Sequence, residues 1–155
     1  FYAMRAAPSR PIDFVRCGTY NKPTKLVCNV EGCCVKPAGK ALAVCISERK
    51  GTMKHPVFEI QLRAGHGIEG DAHAGPWHRQ VSLLATESVE PMRAVLPELP
   101  AGASAENILT EGLTLKTLPI GTRLRVGGAL LEGTAPLPRF FPWQQRLDSF
   151  PLFFC

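Results

Sequence analysis

The sequence predicts a mainly-β protein, a β-barrel or rolled sheet with one or two flanking helices. Two observations support this prediction. From residue 41 onward, at least five short segments have strand patterning, and only one segment has a clear helical stripe. The 155 residues suggest one domain, and the 45% hydrophobic and 20% charged content is ordinary for a globular chain. No stretch approaches the ~20 consecutive apolar residues of a membrane-spanning helix, so no membrane partner is expected.

Residues 1–40 are expected to form an irregular, basic N-terminal extension, because four prolines interrupt them and no amphipathic pattern lasts. They hold seven Lys/Arg and two Asp/Glu, whereas residues 41–155 hold eleven of each. The charge is typical of either a basic arm that binds RNA or DNA or a solvated extension. We expect the second, and so no nucleic-acid partner. The first residues lack the apolar region of a secretory signal, and a cytoplasmic location is expected.

Six cysteines are present: Cys17, Cys28, Cys33, Cys34, Cys45 and Cys155. Without an export signal, disulfides are not expected. Three of the cysteines form a C-x4-C-C cluster, which hints at zinc or an iron–sulfur cluster. The paired C-x2-C knuckles of such sites are missing, so no metal site is predicted there.

Three strands are expected in the first part of the domain, which begins at residue 41. ALAVCIS (41–47) is short, apolar and β-prone, as a buried strand is. VFEIQLR (57–63) alternates strictly between apolar and polar residues, which predicts a half-buried strand. QVSLLA (80–85) is a third apolar run of strand length.

One helix is expected over TESVEPMRAVLPEL (86–99), which has an apolar stripe at helical spacing and acidic residues near its start. Thr86 or Ser88 is the expected capping residue, and Pro91 is expected in the first turn.

Strand and hairpin patterns follow the helix. Residues 105–115 predict a strand and a turn. Residues 122–133 predict a hairpin in which Gly127 and Gly128 form a two-residue turn.

The stretch GHGIEGDAHAGPWHRQVSLL (65–84) holds three of the chain's four histidines, His66, His73 and His78. Its glycines and its proline are too dense for a helix. We predict a long ordered loop that brings polar side chains to one place, and such loops carry function more often than packing.

The last segment, 135–155, follows neither strand nor helix patterning. Residues 134–155 carry six of the chain's twelve aromatic residues and four prolines. Two interpretations are open: an anchor for a protein partner, or sequence read from another frame after Thr134. We expect a frameshifted or truncated tail, which would leave the domain at 41–134 incomplete.

Four segments, in this order and spacing, resemble the MOSC domain, which is named after the C-terminal part of molybdenum cofactor sulfurase and also occurs in small stand-alone bacterial proteins. They are KGTMKHPV (50–57), GIEGDAHAGPWHRQVSLL (67–84), SAENILTEGL (104–113) and LPIGTRLRVGGALLEGT (118–134). The combination of G-D-x-H, H-R-Q-V and E-N-I is specific, and the resemblance runs from about Gly39 to Thr134.

The resemblance implies a β-barrel that binds the molybdenum cofactor (molybdopterin), and an activity in sulfur transfer or molybdenum-dependent reduction. The resemblance also implies the family's association with pyridoxal phosphate binding. The resemblance also implies a reactive cysteine after the last matched segment. No cysteine occurs between Cys45 and Cys155, so the catalytic residue is unknown and Cys155 is a remote candidate. We expect cofactor binding without catalysis.

Seven residues are candidates for binding the cofactor: Lys54, Gly70, Asp71, His73, His78, Arg79 and Asn107. The cofactor's phosphate needs cations and N–H donors, which Arg79, Lys54 and the glycine-rich backbone offer. Asp71 has the chemistry to accept hydrogen bonds from the pterin, and Asn107 to donate or accept. Asp71 as a turn-capping carboxylate and His78 as a partner of the loop backbone are the structural alternatives.

Two other functions are open from the sequence. Asp71, His73 and His78 have the ligand types of a metal-dependent hydrolase, with Glu69 as the base. The aromatic tail instead favours a non-catalytic interaction protein. Trp77 is expected to be a packing lid.

Overall fold

The computed structural model describes residues 2–7, 12–16, 24–29 and 36–136. They form eleven strands, one α-helix and one short 3-10 helix. The strands are β1 (Tyr2–Ala6), β2 (Ile12–Arg16), β3 (Thr24–Asn29), β4 (Lys36–Ile46), β5 (His55–Val57), β6 (Glu59–Arg63), β7 (Gly67–Ile68), β8 (Val81–Ala85), β9 (Ile108–Glu111), β10 (Arg123–Val126) and β11 (Ala129–Pro136). The α-helix α1 is Thr86–Arg93, and the 3-10 helix is Leu115–Thr117.

Eight of these strands form one sheet in the order β3-β10-β11-β1-β8-β9-β4-β5, and β2, β6 and β7 form a second sheet. β3 also pairs with β4, so the first seven strands of the large sheet each have a hydrogen-bonded neighbour on both sides. The β8–β9 pair is parallel. The prediction of a mainly-β fold with few helices is confirmed. In the part of the chain described, no helix is long and apolar enough to cross a membrane.

The main apolar cluster takes its members from strands of both sheets. Its largest fully buried side chains include Tyr2, Met4, Leu83, Ile108 and Leu124. Burying one such side chain stabilises a fold by roughly 1.5–3 kcal/mol. The core therefore fixes β8 and β9, the two strands that flank the polar residues described below.

The first strand departs from the irregular extension expected for residues 1–40. β1 lies between β8 and β11, and Tyr2, Ala3 and Met4 are all buried. The Tyr2 hydroxyl donates a hydrogen bond to the Pro119 carbonyl oxygen at 2.7 Å. Because both faces of this strand are covered, its sequence lacks the period-two alternation by which strands are recognised.

The helix is shorter than predicted. It ends at Arg93 rather than at residue 99, because Val95 and Leu96 are exposed and add no apolar face. The expected capping hydrogen bond is not formed, since Ala85 occupies the N-cap position and Thr86 is already helical. Pro91 lies inside the helix rather than in its first turn.

The hairpin is confirmed. Val126 pairs with Ala129, so Gly127 and Gly128 form the two-residue loop, and Gly127 has a φ of 60° that suits glycine. β11 continues to Pro136, two residues past Thr134. Residues 137–155, including Cys155 and the tail aromatics, lie outside the described residues, so the tail interpretation stays a prediction.

Candidate functional site

The histidine-bearing loop is ordered by backbone hydrogen bonds, as predicted. The Gly75 N–H donates to the His66 carbonyl oxygen at 2.7 Å, and the Ala72 N–H donates to that of Ser47 at 2.7 Å. Gln80 joins the end of the loop to β1, since its Oε1 accepts from the Ala6 N–H at 3.0 Å and its Nε2 donates to Gly75 at 2.8 Å. The loop is therefore a built part of the fold.

A buried ion pair between Lys54 and Asp71 lies under this loop. The two side chains are 1% and 0% exposed, and the Lys54 ammonium donates a hydrogen bond to Asp71 Oδ1. The same carboxylate accepts from the Ser47 N–H at 3.1 Å and the His73 N–H at 3.0 Å. Asp71 thus joins the end of β4, the lysine segment and the loop.

The charge state of Asp71 follows from these contacts. Burial acts to raise the pKa of the carboxyl, but hydrogen bonds from His73 and Lys54, and the Lys54 charge, outweigh it. They hold the pKa of Asp71 well below its usual range. The aspartate is ionised at neutral pH, and its acceptor oxygens are engaged by groups of the chain itself.

A second buried carboxylate, that of Glu106, lies near Lys54. Glu106 accepts hydrogen bonds from the Gly102 N–H at 2.6 Å and the Ser104 N–H at 3.1 Å. The Lys54 N–H donates to the Gly102 carbonyl oxygen at 3.0 Å. Burial raises the pKa of Glu106, and this outweighs the backbone hydrogen bonds and the Lys54 charge that lower it.

Asn107 holds strands together. Its Nδ2 donates to the Cys45 carbonyl oxygen at 3.1 Å, and its Oδ1 accepts from the Ser82 N–H at 3.1 Å and the Ser82 hydroxyl at 2.9 Å. The side chain is 1% exposed. These contacts use both polar atoms of the amide, so Asn107 acts by joining β4, β8 and the start of β9.

The accessible part of the loop is aromatic and cationic. The Trp77 indole N–H donates to the His73 carbonyl oxygen at 2.7 Å, and the two rings are parallel within 6° at a centroid distance of 6.1 Å. His78 meets Trp77 edge-on at 5.8 Å. The Lys50 ammonium lies 5.0 Å from the Trp77 ring centroid. These side chains are half-buried to exposed.

Arg79 and Gly70 also lie on the exposed part of the loop. Gly70 has a φ of 78°, and a Cβ placed there would meet no atom within 4 Å. Arg79 is exposed and has no ion-pair partner among the described residues. The carbonyl oxygen of His78 accepts from the Thr134 hydroxyl at 2.7 Å.

The predicted site residues fall into three groups. The structure brings Lys54, Asp71 and His73 together, with 3.5 Å between Lys54 Nζ and His73 Nδ1 and 3.4 Å between His73 Nδ1 and Asp71 Oδ2. Gly70, His78 and Arg79 remain at the surface. Asn107 is bonded instead to neighbouring strands. Within the described residues, no group of three His, Cys, Asp or Glu side chains is arranged to hold a metal ion.

Three further residues of this region were missed from the sequence: Ser47, Lys50 and Glu106. Ser47 ends a predicted strand, and its buried hydroxyl has no hydrogen-bond partner in the described residues. Lys50 lies in a polar connection without any local pattern. Glu106 precedes Asn107 in the E-N-I motif, so the motif that identified Asn107 could also have identified Glu106.

The structure defines a class of protein: a mainly-β domain in which a polar, cationic loop lies over a buried ion pair. The family model of the MOSC domain matches residues 70–148, just over half of the chain, and the chain belongs to this family. The match runs past Thr134, where the sequence interpretation ended the resemblance. Comparisons with curated proteins and with solved structures gave no match.

Proposed function

We propose that this protein binds the molybdenum cofactor on the exposed side of the 65–80 loop. Family membership connects the chain with molybdenum-cofactor chemistry. The observation that carries the proposal is the position of the exposed Arg79 guanidinium, which has no ion-pair partner among the described residues, in a loop whose buried carboxylate, Asp71, is already neutralised by Lys54. The loop therefore presents cations to an anion without a competing free carboxylate at Asp71.

The residues fit such a ligand in two ways. Arg79 supplies a planar donor fork for the phosphate. Gly70 leaves space above the backbone, since a Cβ there would meet nothing within 4 Å. Loop N–H groups and the imidazoles of His73 and His78 add donors and acceptors for the pterin edge.

Lys54, Asp71 and Asn107 are the buried members of the predicted site. Counted as whole residues, they are 3%, 6% and 1% exposed, and their polar side-chain atoms are hydrogen-bonded to other residues of the chain. We assign them as positioning residues, which hold the loop in the shape that presents Arg79 and His73. A rigid loop lowers the entropic cost of binding.

The bound cofactor would supply a redox-active metal and a sulfur-bearing pterin for sulfur transfer or reduction. Cys45 is 0% exposed in the core and does not reach the loop surface. The proposal is therefore cofactor binding, with no catalytic residue assigned on this chain.

Purification from cells that make the cofactor tests the proposal. We expect molybdenum and pterin to be retained with the wild-type protein and depleted in Arg79→Ala. Arg125→Ala is the matched control, because Arg125 is an exposed arginine on β10, away from the loop. Equal molybdenum and pterin per chain in wild type and Arg79→Ala would refute the proposal.

The two other functions considered from the sequence gain no support. In the described residues Asp71, which the hydrolase mechanism needs as a free ligand, is bonded to Lys54. Elemental analysis showing one zinc or manganese per chain after dialysis would revive that mechanism. Docking through the aromatic tail stays a prediction, and deletion of residues 136–155 tests it.

A further inference from the structure

Trp77 is an exposed indole that the fold holds in one orientation. Its side chain keeps about a third of its surface open, with 36% exposed, and it belongs to neither apolar cluster of the described residues. The hydrogen bond from its ring N–H to the His73 carbonyl oxygen is 2.7 Å long. The packing lid expected from the sequence would instead contact the core.

The orientation of Trp77 depends on the buried ion pair. Asp71 accepts from the His73 N–H at 3.0 Å, and His73 in turn accepts from the Trp77 ring. The His73 imidazole lies parallel to the indole within 6°. One chain of contacts thus runs from the interior to an exposed aromatic ring.

Lys50 adds a positive charge at this ring. Its ammonium is 5.0 Å from the Trp77 centroid, within the range of a cation–π contact. The lysine is exposed on a flexible four-carbon stem, so its ammonium is able to turn from the ring to an anion placed beside it. An oriented indole with a movable cation suits a ligand that is both flat and acidic.

We propose that Trp77 and Lys50 form a recognition surface for a flat, anionic heterocycle. Trp77 stacks on the ring, and Lys50 pairs with the acidic group. This inference rests on the proposed function and identifies the flat heterocycle as the pterin part of the cofactor. Arg79 and this surface then contact different parts of one ligand.

Equilibrium dialysis with pterin-6-carboxylate, followed by pterin fluorescence, measures binding to this surface. Aromatic stacking of this kind corresponds to a roughly five- to hundred-fold change in affinity, so Trp77→Leu is expected to weaken binding by that factor. Trp77→Phe keeps a ring and is expected to recover most of the affinity. Quenching of tryptophan fluorescence in a Trp143→Phe background reports binding at Trp77 directly, because the chain has two tryptophans.

The charge assignment has its own comparison. Lys50→Met is expected to weaken binding of pterin-6-carboxylate several-fold and to leave binding of neutral pterin unchanged. Lys116→Met, at another exposed lysine, is the control. Equal weakening of both probes by Lys50→Met would overturn the assignment, as would undiminished binding in Trp77→Leu or the absence of any binding to wild type. A folding defect common to both Trp77 variants would appear in circular dichroism, and the Lys50 comparison then decides.

The two proposals fail separately. If Trp77→Leu retains as much molybdenum and pterin from cells as wild type does, the recognition surface is wrong and the proposed function stands. If wild type retains no cofactor from cells but binds pterin-6-carboxylate through Trp77, the proposed function is wrong and the surface stands.

Discussion

Replacing Asp71 by Asn tests how strongly the fold depends on the buried ion pair. The Asp71 and Lys54 side chains are 0% and 1% exposed, and the substitution leaves the lysine charge buried without its counter-charge. Breaking such a pair from one side costs roughly 3–5 kcal/mol. In a domain of this size, that loss lowers the melting temperature by roughly 6–20 °C.

Urea unfolding followed by circular dichroism measures this loss. Glu111→Gln is the matched control, because its partner Lys40 is 3.8 Å away and both side chains are about half exposed, at 51% and 54%. We expect the control to lose less than about 1 kcal/mol. The double variant Lys54→Met/Asp71→Leu should recover much of the stability, since neither charge of the pair is then left buried without the other. A loss below about 1 kcal/mol in Asp71→Asn would refute the reasoning that the pair organises the loop.

Three further predictions concern the same region. The lowered pKa of Asp71 contributes stability that is fully present above the unfolded-state value of 3.8 and is lost as the pH falls toward the folded-state pKa. The raised pKa of Glu106 acts in the opposite direction, so acidification from neutral pH toward 4.5 should stabilise wild type relative to Glu106→Gln. Measuring the unfolding free energy of both proteins across this pH range shows whether the difference grows as the pH falls. Gly102→Ala places a Cβ 2.1 Å from the Lys54 carbonyl oxygen at a φ of 88°, whereas Gly70→Ala at a φ of 78° meets nothing within 4 Å. We expect Gly70→Ala to cost about 1–2 kcal/mol and Gly102→Ala clearly more, and equal losses in denaturant would contradict the close approach at Gly102.

The mainly-β class and the hairpin were predictable because their signals are local. Gly127 and Gly128 sit between alternating strands, and the alternation of Leu124 and Val126 with exposed arginines matches their burial. β1 was missed because its position at the centre of the large sheet is set by distant strands. A strand covered on both faces carries no alternation to read.

The location of the candidate site was predictable from the sequence, but the burial and contacts of its individual residues were predictable only in part. The density of glycine and histidine marked the loop, and the family motifs marked Lys54, Asp71 and Asn107. Sequence gives residue types but no burial, so it did not separate the buried residues Lys54, Asp71 and Asn107 from the exposed residues of the loop. The Lys54–Asp71 pair joins residues 17 apart, and its formation depends on how β4 and the loop pack.

Hydrogen–deuterium exchange tests most directly whether the 65–80 loop is the cofactor site. The protein would be purified in parallel from cells that make the molybdenum cofactor and from cells that cannot. We predict slower exchange in peptides covering residues 65–80 of the first sample, and unchanged exchange in peptides covering residues 108–126. Identical exchange over residues 65–80 in two samples that differ in bound molybdenum would contradict the account, because the cofactor would then bind elsewhere on the chain.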